Sequence, residues 1–168
     1  MTLNKAVRAK SRRKSWREKL ADDKGLPKVA VIDDTKFKRW GTGTFVIPAP
    51  SEVDEAMRRI GRGKLTTIDA VRTALARRHG TTIACPLTTG IFAWIAAQAA
   101  AESESAGAKR ITPYWRTLKF GGELNPKYPG GVADLRSRLT SEGHRIIRKG
   151  KRFFVADYEA CLVEPALS

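Results

Sequence analysis

The chain has 168 residues, is 42% hydrophobic, and carries 32 Lys and Arg against 17 Asp and Glu, a formal charge of +15. That length suits one domain with extensions, and that hydrophobic content excludes a uniformly disordered basic tail. The charge makes polyanions the expected partners: nucleic acid first, then an acidic membrane surface, with a basic soluble protein of neither kind as the plain alternative.

Residues 1–24 read as a basic arm, disordered in part or helical on phosphate. Lys5, Arg8, Lys10, Arg12, Arg13, Lys14, Arg17 and Lys19 crowd its first 19 positions, with Glu18 as the one acid among them. Like charges at that density repel. Trp16 and Leu20 stand four apart, a spacing that would dock one helical turn onto the body. Residues 25–47 read as an extended wrap, with short β-like runs at Val29–Ile32 and Thr44–Ile47 between glycines and prolines.

A helical series follows. Ser51 reads as a cap, and Val53, Met57 and Ile60 form a stripe at helical spacing before Gly61 and Gly63. Thr67 caps a second helix that runs to Gly80, with Ile68, Val71 and Leu75 facing inward. Pro86 suits the first turn of a third helix that ends near Glu102. Tyr114 to Phe120 alternates like a strand, and Gly121-Gly122 turns the chain. Val132, Leu135 and Leu139 mark one more amphipathic helix, closed by Gly143. Residues 144–147 and 152–155 flank Lys149-Gly150-Lys151 as a hairpin. The expected fold is mainly α with a small β component: a winged helix-turn-helix-like domain over 48–160, with a basic N-terminal extension and a tail at 161–168.

Two cysteines, Cys85 and Cys161, and a charged N-terminus without an apolar stretch fit a reducing, cytoplasmic setting, at the nucleoid if the source is bacterial. The longest apolar run, 90–101, is shorter than the roughly 18 residues of a membrane span, so no membrane partner is expected. His79 and His144 have no metal-ligand spacing with either cysteine, so neither metal nor cofactor is expected.

The third helix presents Thr88, Thr89, Gly90, Ala93, Ala96 and Ala97. Small residues admit close approach to a groove, and equally to another helix. The order of motifs resembles one family. Gly63-Lys64-Leu65-Thr66-Thr67-Ile68-Asp69-Ala70-Val71 is similar to the opening of the DNA-binding domain of alkylguanine-DNA alkyltransferases. Pro113-Tyr114-Trp115-Arg116 resembles that family's active-site PCHR, and Lys127-Tyr128-Pro129-Gly130-Gly131 its NYSGG loop. Leu139 with Glu142-Gly143-His144 resembles its L-x-x-EGH segment. The match spans roughly 47–145.

In that family a cysteine thiolate accepts an alkyl group from guanine O6, activated by a histidine that a glutamate orients. Here Tyr114 and Trp115 stand at the cysteine and histidine positions, while Arg116 and Glu142 remain. A tyrosine hydroxyl has a reference pKa of about 10 and lacks a base at this position. The resemblance therefore implies a non-enzymatic protein of the alkyltransferase-like type, which binds duplex DNA and senses alkylated or damaged bases. Two further departures bear on base flipping: Ile68 stands at the family's tyrosine wedge, and residues 85–102 contain no arginine.

The expected DNA-contact set is Lys64, Thr67, Arg72, Arg77, Arg78, Thr88, Thr89, Gly90 and Arg116, with Arg62, Lys109 and Arg110 as further phosphate ligands. Tyr114, Trp115 and Tyr128 either line a base-sized pocket or pack the core. Two alternatives stay open. One is a divergent alkyltransferase that uses Cys85, although its apolar neighbours point to burial. The other is an RNA- or ribosome-associated basic module.

Overall fold

The computed structural model describes residues 12–33 and 37–167; Lys5, Arg8 and Lys10 of the arm lie outside the described residues. The first described helix, α1 (Trp16–Ala21), is capped by Ser15, whose Oγ accepts from the Glu18 amide while Glu18 accepts from the Ser15 amide. Trp16 sets its ring edge-on against Trp94, centroids 4.8 Å apart. The Glu102 carboxylate accepts from the backbone amides of Trp16 and Arg17 and from Arg17 Nε. One acid thus fastens the free amides of α1 to the body.

Strands β1 (Lys28–Val31) and β2 (Thr44–Ile47) pair antiparallel. Helix α2 (Pro50–Arg58) starts two residues earlier than a cap at Ser51 would place it, with Ala49 at the cap position. Pro50 supplies the fixed φ of a first turn, and Glu52 reaches back to the Ala49 amide at 2.9 Å. Ser51 lies inside the helix and donates to Asp23. β3 (Thr66–Thr67) leads into α3 (Ile68–His79), which ends at Gly80 in the left-handed conformation (φ 62°). β4 (Ile83–Ala84) adds to β2 in parallel and delivers the chain to α4 (Pro86–Ser105). That helix outruns its expected end at Glu102 because no helix breaker intervenes before Gly107.

The segment 114–120 alternates in sequence but is not a long strand. Tyr114–Arg116 forms a 3-10 turn, and β5 (Thr117–Leu118) is two residues that pair parallel to β3. Inward partners for Tyr114, Trp115 and Arg116 impose the turn. α5 (Gly131–Ser141) and the antiparallel hairpin of β6 (Ile146–Lys149) and β7 (Arg152–Val155) complete the order. The fold is mainly α with small sheets, a helix-turn-helix of α3 and α4 followed by a wing. Behind Cys161, Val163 donates to Leu65 O, and Leu167 packs on the core.

The principal core joins Val53 and Met57 of α2, Val71 and Leu75 of α3, and Phe92, Ala96 and Ala97 of α4. Truncating a fully buried Leu75 to Ala should cost about 2–5 kcal/mol. A second, smaller cluster holds Ile32, Phe45 and Cys85, with Phe37 and Trp40 packed against it. Among the described residues no helix is long and apolar enough to cross a membrane.

Candidate nucleic-acid interface

Helix α4 is two-sided at its start. Thr89, Phe92 and Ala93 are buried, and Thr89 Oγ1 donates to Cys85 O at 2.6 Å. Thr88 is half-buried, and its hydroxyl has no hydrogen-bond partner. The opposite side carries Leu87 at 71% exposure, Gly90, and Ile91 at 44%. These three share one face by helical spacing. A Cβ built on Gly90 would meet nothing within 4 Å, so the fold does not require glycine there. Of the three small residues expected to contact DNA on this helix, Gly90 alone is exposed.

The second helix distributes its cations differently from the sequence expectation. Thr67 is buried at the head of α3 and accepts from the Ala70 amide at 3.2 Å. Arg72 donates to Ala84 O and pairs with Asp69 at 3.1 Å, which ties α3 to β4. Arg77 pairs with Glu164 at 2.6 Å, and Arg78 with Glu55 at 2.9 Å. These three guanidinium groups are therefore already engaged within the chain. Arg62 donates to Ser141 O. Lys64, Lys109 and Arg110 are exposed, and none has an acidic partner among the described residues.

The Pro113–Arg116 segment forms a buried polar node. Glu142 is 3% exposed at its side chain and accepts from Arg116 Nε and Nη2, from Trp115 Nε1 at 3.1 Å, and from the Gly63 amide. Burial opposes its charge, but the hydrogen bonds from Arg116 and Trp115 outweigh it and hold the carboxyl below its usual range. Arg116 Nη1 also donates to Ile60 O at 2.7 Å. The node thus joins the end of α2, the glycine loop before β3, and the end of α5. Arg116 is spent in it.

Tyr114 is 1% exposed and Tyr128 5%; their rings meet edge-on at 6.0 Å inside the core. Burial pushes the Tyr114 hydroxyl up to about 12, and its partner is Asp134 at 3.3 Å. Burial also raises Tyr128. Of this trio Trp115 alone borders open space: it lines a cleft of about 1280 Å³ between α1, α2 and the far end of α4, with Arg17, Arg58, Lys109 and Arg110. Cys85 is 7% exposed in the second apolar cluster. Among the described residues no group of three His, Cys, Asp or Glu side chains could hold a metal.

Sequence reading passed over a further surface. Lys119, Phe120 and Glu123 form a tight turn against the wing, and Phe120 is 81% exposed, the most exposed large apolar side chain among the described residues. The Gly121-Gly122 pair was the signal available: it places the preceding side chain at a turn apex. The hairpin tip carries Arg148, Lys149 and Lys151, all exposed.

No family model matches the chain, and no curated protein does. Among solved structures it is similar to S. pombe Atl1 in complex with damaged DNA containing O6-carboxymethylguanine, at 17% identity over 69% of this chain and 94% of that one, TM-score 0.48. It is also similar to S. pombe ATL in complex with DNA, at 15% identity over the same shares, TM-score 0.44. Likeness at this level carries no statement about activity.

Proposed function

We propose that this chain is a non-catalytic protein that binds duplex DNA, with α4 presented to a groove and basic side chains on the flanking phosphates. The observation that carries this reading is the outward face of α4, Leu87–Gly90–Ile91, which offers apolar surface without long side chains on a chain of charge +15. Such a face suits close approach to a groove wall. Lys64 is the candidate for phosphate contact, since the arginines of α3 are engaged elsewhere and Lys109 and Arg110 follow the far end of α4, more than about 20 Å along the helix from Gly90.

Absence of transfer chemistry is the second part of the proposal. The Tyr114 hydroxyl is buried and raised, so it stays protonated at neutral pH. The indole of Trp115 occupies Glu142, so no histidine relays a proton to that carboxylate, and Asp134, the hydroxyl's own partner, is paired with Arg138. Cys85 packs among apolar side chains with Phe45 and Ile32. The motif order that resembles the alkyltransferases supports a role in sensing altered bases, with Trp115, which lines the cleft, as the candidate contact.

The test is a fluorescence titration with duplexes that contain or lack O6-methylguanine, at several salt concentrations. Tight, salt-dependent binding is expected, with a log–log slope of about 0.9 per phosphate neutralised. Equal affinity for the two duplexes removes lesion sensing and leaves general DNA binding. A clear preference for structured RNA in competition overturns the duplex reading.

A further inference from the structure

The wing and the Phe120 turn form one composite element. Glu123, 7% exposed at its side chain, accepts two bonds from Arg152 of β7, at 2.8 and 3.0 Å. The same carboxylate holds Lys119 at 3.3 Å. Backbone bonds reinforce the link: Glu123 bridges to Phe154, and the Leu124 amide donates to Phe153 O. The turn is also fixed from below, because a Cβ on Gly122 would lie 2.4 Å from the Tyr158 ring. Phe120 therefore stands exposed on a braced turn.

Charge on this element is unlike charge on α3. Arg148, Lys149 and Lys151 are exposed at the hairpin tip, and none has an acidic partner among the described residues. Arg148 donates to Gly150 O, which fixes the tip. Lys149 and Arg152 lie over the Phe154 ring at 5.3 and 5.1 Å, and Arg148 over Phe153 at 5.8 Å. Aromatic packing holds the cation stems outward without neutralising their charge. Gly150 and Lys151 make the two-residue turn that joins Lys149 to Arg152, so the tip lies just beyond Phe153.

We propose that the wing and the Phe120 turn form a second binding surface that takes an unpaired nucleic-acid strand, with a base stacked on Phe120 and phosphates on Arg148, Lys149 and Lys151. Duplex backbone offers ridges of phosphate but no free base face, so an exposed ring on the turn that Glu123 braces to the cationic wing has a use on a single strand that it lacks on a duplex. Extending the nucleic-acid reading above to another face, this inference can fail separately from it.

The experiment measures fluorescence anisotropy of labelled oligo-dT and of a duplex of equal length. Wild type is compared with Phe120→Ala and with the triple variant Arg148→Ala/Lys149→Ala/Lys151→Ala. Circular dichroism melts verify that both fold, as expected for exposed positions. Phe120→Ala should weaken oligo-dT binding about tenfold, the loss of one stacked base, and leave the duplex unchanged. The triple variant should lower the salt slope on oligo-dT by about 2, at roughly 0.7 per phosphate. Oligo-dT binding that is absent in wild type, or unaltered by Phe120→Ala, overturns the second surface while duplex binding stands. Equal loss on both probes also overturns it, because Phe120 would then serve the duplex.

Discussion

Arg116 grips Glu142 through Nε at 3.0 and 3.1 Å and through Nη2 at 2.6 Å, with the two side chains 13% and 3% exposed. A pair this deep is costly to form and costlier to break, since removing one partner strands the other. Glu142→Gln should therefore destabilise the fold by about 3–5 kcal/mol, read as a drop in urea midpoint at constant m-value. Arg116→Ala should cost a similar amount and leave Ile60 O unpaired as well. A loss below about 1 kcal/mol for either would mean that solvent screens the pair.

Acid should unfold the protein in two stages. His144 is buried with Nε2 unpartnered, and burial lowers its pKa from 6.5. The unfolded chain then takes up that proton first, so stability is full above 6.5 and falls as pH drops below it. Glu142 works in the opposite chemical sense with the same direction. Its folded pKa is below 4.5, so its stabilisation is full above 4.5 and is lost as pH falls toward the folded value. Thermal melts from pH 8 to 3 should show a first decline beginning near 6.5 and a second below 4.5. His144→Gln should remove the first and keep the second; an unchanged profile in that variant would reassign the early decline.

Incubation with an O6-methylguanine duplex should leave the intact mass of the protein unchanged. Cys85 is enclosed by Ile32 and Phe45, so no thiolate is presented to a base. Tyr114→Cys alone should be inert too, since Trp115 still holds Glu142 and supplies no proton acceptor, while Asp134 is neutralised by Arg138. A methyl adduct on Cys85 would establish the alkyltransferase alternative. An adduct on the new thiol of the variant would show that the site activates a nucleophile without a histidine.

Much of the scaffold was legible in local signals. Thr67 and Gly80 bound α3 as their types require, and Pro86 opens α4. The hairpin around Lys149-Gly150-Lys151 follows from alternation and its glycine. Long-range pairing was not legible. Nothing local tells that Arg72, Arg77 and Arg78 are consumed by Asp69, Glu164 and Glu55, two of which are distant in sequence. Tertiary partners likewise turned the alternating segment 114–120 into a 3-10 turn with a two-residue strand. At the site, the identities of Tyr114 and Trp115 were readable from motif order. The burial of Tyr114, and the depth of the Glu142 node beside Trp115, depend on packing between α5 and the loop after α2.

Gly90 separates stability from binding by sign. It sits in a regular turn of α4, exposed, with no atom within 4 Å of an added Cβ. Gly90→Ala should thus raise stability by about 0.5–1 kcal/mol through helix propensity alone. In the complex the added methyl would lie on the Leu87–Ile91 face, between helix and groove. If α4 meets DNA there, the more stable variant binds duplex about tenfold more weakly, roughly 1.4 kcal/mol. Melting and titration on one preparation give both values. A stabilised variant with unaltered duplex affinity would exclude close approach by α4 and move the duplex contact to another face. Since a general loss of structure lowers stability and affinity together, the opposed signs cannot arise from damage to the fold.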